Sequence, residues 1–348
     1  GALEPAVLGG LRTAIANVRA VASAQLREPT AVELAEGQHV EIAELPVRRA
    51  AVYVPGGEAP YPSTVVMGAV TARAAGVEEI VVCAPPGPGG RAHPVILAAC
   101  VLCEVHEVYR MGGAQAIGAL AYGTESVRPV DVIVGPGNPY VQEAKRQVAW
   151  THVGIDGIAG PSELAVLAAG AGAEPELIAL DLLAQSEHGR NSPLWLVSPE
   201  RAVLDAVGEA VERLAPERPS AREAELQLIQ VAGARDGLAL VEEIAPEHLE
   251  LAGEEAEALA GGVRRAGCLF VGRGGATAFG DYVAGSNHVL PTGGAARFQS
   301  ALSPATFRRR MARVSLPGEA PARLAPAGAA LARAEGFPVH AESMERRA

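Results

Sequence analysis

Apolar positions along this chain change their period several times, and the changes divide it. Over residues 8–28, Leu8, Leu11, Val18, Val21 and Leu26 follow helical spacing until Pro29 limits the helix. From residue 50, short apolar runs alternate with helical stretches. Ala51–Val54 reads as a strand running into Pro55-Gly56-Gly57. Ser63-Thr64 can cap a helix over 64–75 that stops at Gly76. Glu79–Cys83 reads as a strand, 93–103 as a helix, Val105–Tyr109 as a short strand, 113–121 as a helix and Asp131–Val134 as a strand. The pattern then restarts. Strands at Glu163–Leu167, Leu194–Val197, Leu226–Val231 and Cys268–Val271 are interleaved with helices at 175–188, 200–214 and 235–244. Strands that are apolar throughout, rather than alternating, are covered on both faces. The expected fold is therefore α/β: two Rossmann-like, doubly wound domains with small helical N- and C-terminal extensions. The expected divisions are 1–52, 53–159, 160–302 and 303–348. The last is Arg/Ala-rich, with a Pro/Gly interruption at 317–326, and is too small to hold its own core. It should pack on the body or on a partner subunit.

Composition narrows the function. Of 348 residues 49% are hydrophobic, enough for real cores, and the net charge of −11 disfavours a nucleic-acid partner. No run of about 18 uncharged apolar residues appears, so no membrane span is expected. Gly1-Ala-Leu-Glu-Pro has no basic stretch followed by an apolar one, and four cysteines do not make a disulfide framework. The expectation is a reduced, cytoplasmic protein. Cys100-x-x-Cys103 lies within an apolar helix and reads as packing. One lysine, Lys145, stands among 29 basic residues.

The candidate chemistry lies in four histidine clusters: Gln185-Ser-Glu-His188-Gly, Pro246-Glu247-His248-Leu-Glu250, Asp281 through Asn287-His288, and Glu335 through His340. Each places a carboxylate or carboxamide beside an imidazole, which supplies metal ligands and proton-transfer groups together. Gln185 and His188, three apart, share one helix face. Taken singly, Gln185-x-x-His188 also reads as a polar helix end and Glu247-His248 as a surface pair. His340 alone is weak. Gly-rich turns recur at Pro55-Gly-Gly, Gly112-Gly-Ala-Gln115, Gly135-Pro-Gly-Asn138 and Gly272-Arg-Gly-Gly275. None is a G-x-G-x-x-G following a strand, so a nucleotide would have to be held another way.

In order, the segments Tyr53-Val-Pro-Gly-Gly, Gly112-Gly-Ala-Gln115, Gly135-Pro-Gly-Asn138, Ala159-Gly-Pro-Ser162-Glu, Gln185-Ser-Glu-His188-Gly, Pro246-Glu247-His248, Gly280-Asp281 with Asn287-His288, and Glu335-Gly with His340 resemble histidinol dehydrogenase. The resemblance runs from about residue 45 to the end. It implies oxidation of L-histidinol, through an aldehyde, to L-histidine with two NAD, the last step of histidine biosynthesis. It implies zinc on Gln185, His188, Asp281 and His340, the last supplied by the partner of a homodimer that exchanges its C-terminal arms. Ser162, Gln185, His188, His248, Asp281, His288, Glu335 and His340 would hold substrate, and Tyr53, Gln115 and Asn138 would contact NAD. His248 would take the hydroxyl proton and Glu247 would activate water. The resemblance also implies a longer segment ahead of Tyr53 in family members. Two other classes stay open on the residues alone: a dehydrogenase of a related amino alcohol or polyol, and a zinc hydrolase. A non-catalytic metabolite binder would be expected to lack Glu247 or His248, and both are present.

Overall fold

The structure is a computed structural model that describes residues 3–56, 59–189, 191–221 and 224–348. The chain forms two compact units: the chain up to Gln25 with Val47–Phe307, and Leu26–Pro46 with Arg308–Ala348. Helix α1 (Pro5–Ala24) belongs to the first unit, and strands β1 (Thr30–Glu33) and β2 (His39–Pro46) to the second. The first unit then runs through β3 (Arg49–Tyr53), α2 (Pro62–Ala74), β4 (Glu79–Cys83), α3 (Pro94–Leu102), β5 (Glu107–Tyr109), α4 (Gly113–Tyr122), β6 (Val132–Val134), α5 (Pro139–Val148) and β7 (Gly154–Ile155). A second series follows: β8 (Leu164–Ala168), α6 (Pro175–Ser186), β9 (Leu194–Ser198), α7 (Arg201–Leu214), β10 (Leu226–Gln230), α8 (Ala234–Ile244), β11 (His248–Ala252), α9 (Glu254–Glu257), β12 (Cys268–Val271) and α10 (Thr277–Tyr282).

Each series builds one five-stranded sheet with every pair parallel, in the orders β5-β4-β3-β6-β7 and β10-β9-β8-β11-β12. Counted within its own series, each order is third, second, first, fourth, fifth. This is the Rossmann-like, doubly wound arrangement expected. The strand order reverses between β3 and β6 in one sheet and between β8 and β11 in the other. The central strands are apolar on both faces because helices cover both. Ala50, Val52, Val54 and Val134 pack with α2 and α3, while Ala51, Ile133, Ile117 and Val141 form the opposite layer. Full burial of each such Val or Ile contributes about 1.5–3 kcal/mol. Cys100 and Cys103 lie in the first of these layers, and burial pushes both thiols up to about 12, in keeping with a packing role.

Two differences from the sequence pattern have physical causes. Residues 249–252 read only as a short half-apolar stretch, because Glu250 interrupts the run. The structure places β11 there, at the centre of the second sheet, with Glu250 buried. The extensions also contain strands beside their helices. In the second unit β13 (Arg308–Ser315) lies antiparallel to β2, which pairs with β1. A run with Arg308, Arg309, Arg310 and Arg313 has no strand signature of its own. Its partner makes it a strand: Arg310 lies opposite Glu44 and Arg313 opposite Glu41, with ion pairs of 3.2 and 3.3 Å. Helices α11 (Ala320–Ala334) and α12 (Pro338–Glu345) complete this unit, packed through Ala329, Ala332, Ala341 and Met344. Most of the Pro/Gly stretch at 317–326 lies within α11, which has a proline in its first turn and Pro326 inside. Among the described residues no helix is long and apolar enough to cross a membrane.

Candidate active site

β8 and β11 are neighbours, with His248 opposite Leu164. That register sets Glu247 and His248 beside Ser162 and Glu163, across 85 residues of sequence. The Ser162 hydroxyl donates to Glu247 Oε2 at 2.6 Å, and the Glu163 N–H donates to the same oxygen at 2.9 Å. The Glu163 carbonyl lies 3.1 Å from His248 Nδ1. A carbonyl can only accept, so Nδ1 carries the proton and Nε2 is the basic nitrogen. Glu163 Oε1 accepts the N–H groups of Gly293 and Glu247 at 2.8 and 3.3 Å. Glu163 thus clamps both Glu247 and His248, a role visible in the sequence only as its place beside Ser162.

Helix α6 brings its last turn to the same edge. Gln185 Nε2 donates to Ser162 Oγ at 2.6 Å, and Gln185 Oε1, although buried, has no hydrogen-bond partner among the described residues. Asp281, on α10, stands between two imidazoles. Its Oδ2 is 3.7 Å from His188 Nε2, and its Oδ1 is 3.7 Å from His248 Nε2. His288 Nδ1 reaches the Asp281 carbonyl at 3.0 Å.

The charges follow from these neighbours. Burial pushes Glu247 above the ordinary carboxylate value, against the opposing pull of His248 and the Ser162 hydrogen bond. For His248 burial acts downward, but Asp281 and Glu247 outweigh it and the imidazole becomes more basic than usual. Burial would raise Asp281, yet the imidazoles of His188 and His248, each 3.7 Å away, hold it well below the usual range. Burial lowers His288. The two carboxylates, Glu247 and Asp281, are thus driven apart, as are the two imidazoles, His248 and His288. On the same face of β11 as His248, burial and then the carboxylate of Asp181 raise Glu250 to about 8.

A cavity of 230 Å³ joins the two sheets. Ser162, His188, Glu247, His248, Asp281 and His288 line it from the N-terminal edge of the second sheet and the segments beyond. Pro55, Gly135, Pro136, Gly137 and Lys145 line it from the C-terminal edge of the first. The structure therefore brings together Ser162, Gln185, His188, Glu247, His248, Asp281 and His288. Glu335 and His340 lie in the second unit, both exposed, with the His340 ring 5.4 Å from that of Phe337. Tyr53 is buried at the end of β3, its hydroxyl accepting from the Gly113 N–H at 3.0 Å. Gln115 is exposed in the first turn of α4. Asn138 caps α5, its Oδ1 accepting from the Val141 N–H at 3.1 Å.

Among the described residues no three His, Cys, Asp or Glu side chains are grouped to hold a metal ion. The predicted ligand set explains this by its composition. Within the first unit it offers one histidine, one carboxylate and an amide oxygen. The orphaned, buried Gln185 Oε1 and the 3.7 Å spacing of His188 and Asp281 fit residues that would hold a cation. For a dinucleotide, α4 and α5 both begin at the C-terminal edge of the first sheet, where helix N-termini and Gly-rich turns favour anionic groups.

Fold and site together define a two-sheet, Rossmann-like α/β enzyme with a buried glutamate–histidine pair. The sequence matches the histidinol dehydrogenase family over residues 1–348. It is 50% identical over 308 residues to histidinol dehydrogenase of Rhodospirillum rubrum, covering 86% of this chain and 70% of that protein. The fold superposes on histidinol dehydrogenase from Elizabethkingia anophelis with a TM-score of 0.94 at 32% identity, over 99% of this chain and 81% of the other. An NAD-dependent aldehyde dehydrogenase from Sinorhizobium meliloti aligns at a TM-score of 0.54 and 13% identity, over 86% and 74% of the two chains, a likeness of fold alone. The chain belongs to the histidinol dehydrogenase family and is an oxidoreductase acting on the CH–OH group of donors.

Proposed function

We propose that the protein oxidises L-histidinol by four electrons, through L-histidinal, to L-histidine with two NAD, the last step of histidine biosynthesis. The observation that carries this reading is the pair Glu247–His248. One member is a strengthened base facing Asp281, and the other is a carboxylate raised by burial, in a cavity that runs to the dinucleotide-binding edge of the other sheet.

Gln185, His188 and Asp281, with His340 from the second copy of a homodimer that exchanges C-terminal arms, would hold zinc. When bound, zinc supplies a charge that orients an amino alcohol bearing an imidazole. NAD, received by the turns near Tyr53, Gln115 and Asn138, supplies the hydride acceptor. Ser162, His288 and the arm residue Glu335 hold the substrate, which then lies against His248 Nε2. In the first half-reaction His248 takes the hydroxyl proton while the carbinol carbon gives up hydride. In the second, Glu247 takes a proton from water as its oxygen adds to the aldehyde carbon. His248, once it has passed its first proton to water, then receives the hydroxyl proton of that adduct as its carbon gives up the second hydride, leaving the carboxylate. The 53–159 half thus serves the cofactor and the 160–302 half the chemistry.

The test is NAD reduction with histidinol and, separately, with histidinal, each with and without a chelator. Absorbance of NADH should appear with both and fall when zinc is removed. Turnover without NAD, or with polyols but not histidinol, would contradict the reading.

A further inference from the structure

Lys145, the one lysine among 29 basic residues, is 1% exposed and lines the cavity. Its ammonium donates to the Gly135 carbonyl at 3.1 Å and pairs with Asp156 Oδ1. The other Asp156 oxygen accepts the Gly135 N–H at 2.6 Å. One ion pair therefore holds both polar groups of Gly135. A turn earlier on α5, Gln142 repeats the device. Its Nε2 donates to the Gly137 carbonyl at 3.3 Å, and its Oε1 accepts from the Ala159 N–H at 3.0 Å. The Gly135–Asn138 turn is thereby stitched to residues 156–159, and Gln299 fixes that segment by donating to the Asp156 carbonyl at 2.9 Å.

Stability alone does not call for this arrangement. Removing an ammonium and a carboxylate from water is unfavourable, and apolar replacements of buried pairs are often neutral or stabilising. Arginine would not serve either. Its planar fork is larger than the compact donor that fits between one carbonyl and one carboxylate. In a chain that uses arginine at all its other basic positions, lysine here marks a geometric demand. The element under demand is the turn that ends β6 at the reversal of strand order and lines the same cavity as Ser162 and His248.

We propose that Lys145, with Asp156, is a positioning residue that sets the Gly135–Asn138 turn to receive the nicotinamide half of the dinucleotide. The inference rests on the reading that the chain uses NAD. It assigns the nicotinamide half because the cavity wall formed by the turn leads to His248, where hydride must leave the substrate. The test is a fluorescence titration with NADH of the wild type, Lys145→Arg, and the double variant Lys145→Met with Asp156→Asn, which leaves neither charge unpaired. Both variants should bind NADH about tenfold more weakly, with KM for NAD raised in step. KM for histidinol and zinc content should stay within about twofold of wild type. NADH binding unchanged in both variants, KM for histidinol rising as far as KM for NAD, or loss of fold in both by circular dichroism would overturn the inference. A wild type that binds no NADH would overturn the cofactor reading itself, and this inference with it.

Discussion

The two sheets of the first unit carry the same device in the same place and use it differently. In the first sheet Asp131 precedes β6, and its Oδ2 accepts the N–H groups of Arg48 and Arg49 at 3.0 and 2.9 Å. In the second, Glu247 precedes β11, and its Oε2 accepts the Glu163 N–H at 2.9 Å. The registers, Ala50 opposite Val132 and Leu164 opposite His248, make these equivalent positions. Around Asp131 the edge is closed by ion pairs, with Arg49 held by Glu79 and Glu107 at 2.8 Å each. Among the described residues no arginine pairs with Glu247. It is buried beside an imidazole and opens on a cavity. The opposite edges show the converse. Gly135 after β6 and Gly253 after β11 both have left-handed φ, +113° and +94°, and a Cβ on either would lie 2.1 Å from the Tyr53 carbonyl or 2.4 Å from that of Ala169. Past Gly135 comes the Pro-Gly-Asn turn that walls the cavity. Past Gly253 come Glu254, Glu255 and Glu257, which repel phosphate. The fold supplies two equivalent frames, and local charge and burial set their equivalent edges apart.

The sharpest way to break this comparison is to mutate the equivalent edges. His248→Asn should lower kcat for both half-reactions by about 10²–10⁴. Asp131→Asn, in the exposed counterpart, should leave kcat within about twofold and cost on the order of 1 kcal/mol in urea unfolding. On the metal, His340→Asn should lower zinc affinity at least about tenfold, read by atomic absorption after dialysis. The chain should stay folded, because His340 is exposed. Gly135→Ala forces a side chain into a left-handed position against a backbone oxygen, and should cost more than about 1–3 kcal/mol while raising KM for NAD. A pH-dependent effect concerns Glu250. Its proton is retained in the folded state from the ordinary 4.5 up to about 8 and lost in the unfolded chain. The folded state binds more protons in that window, so stability falls as pH rises through it, by at most ~1.4 kcal/mol per unit. Glu250→Gln should flatten that slope in thermal melts taken across the window.

Much of this architecture was legible in the sequence, and the exceptions have a common cause. Strands such as β3, β4 and β9 announce themselves because they are apolar on both faces. β11 is masked by Glu250, and β13 by its arginines, whose carboxylate partners lie more than 260 residues away. The site residues were legible as clusters, and the family pattern ordered them. The roles of Glu163 and Lys145 were not, because each acts through backbone groups that only the pairing of β8 with β11, or the packing of α5 on the β6 turn, brings within reach.

The central claim, that His248 serves both half-reactions and Glu247 only the second, at one edge of the second sheet, is tested most directly by counting NADH in a single turnover of Glu247→Gln. The account predicts that histidinol still yields its first NADH at near wild-type rate, while histidinal yields its NADH at least about 10²-fold more slowly. Equal loss of both half-reactions would contradict it.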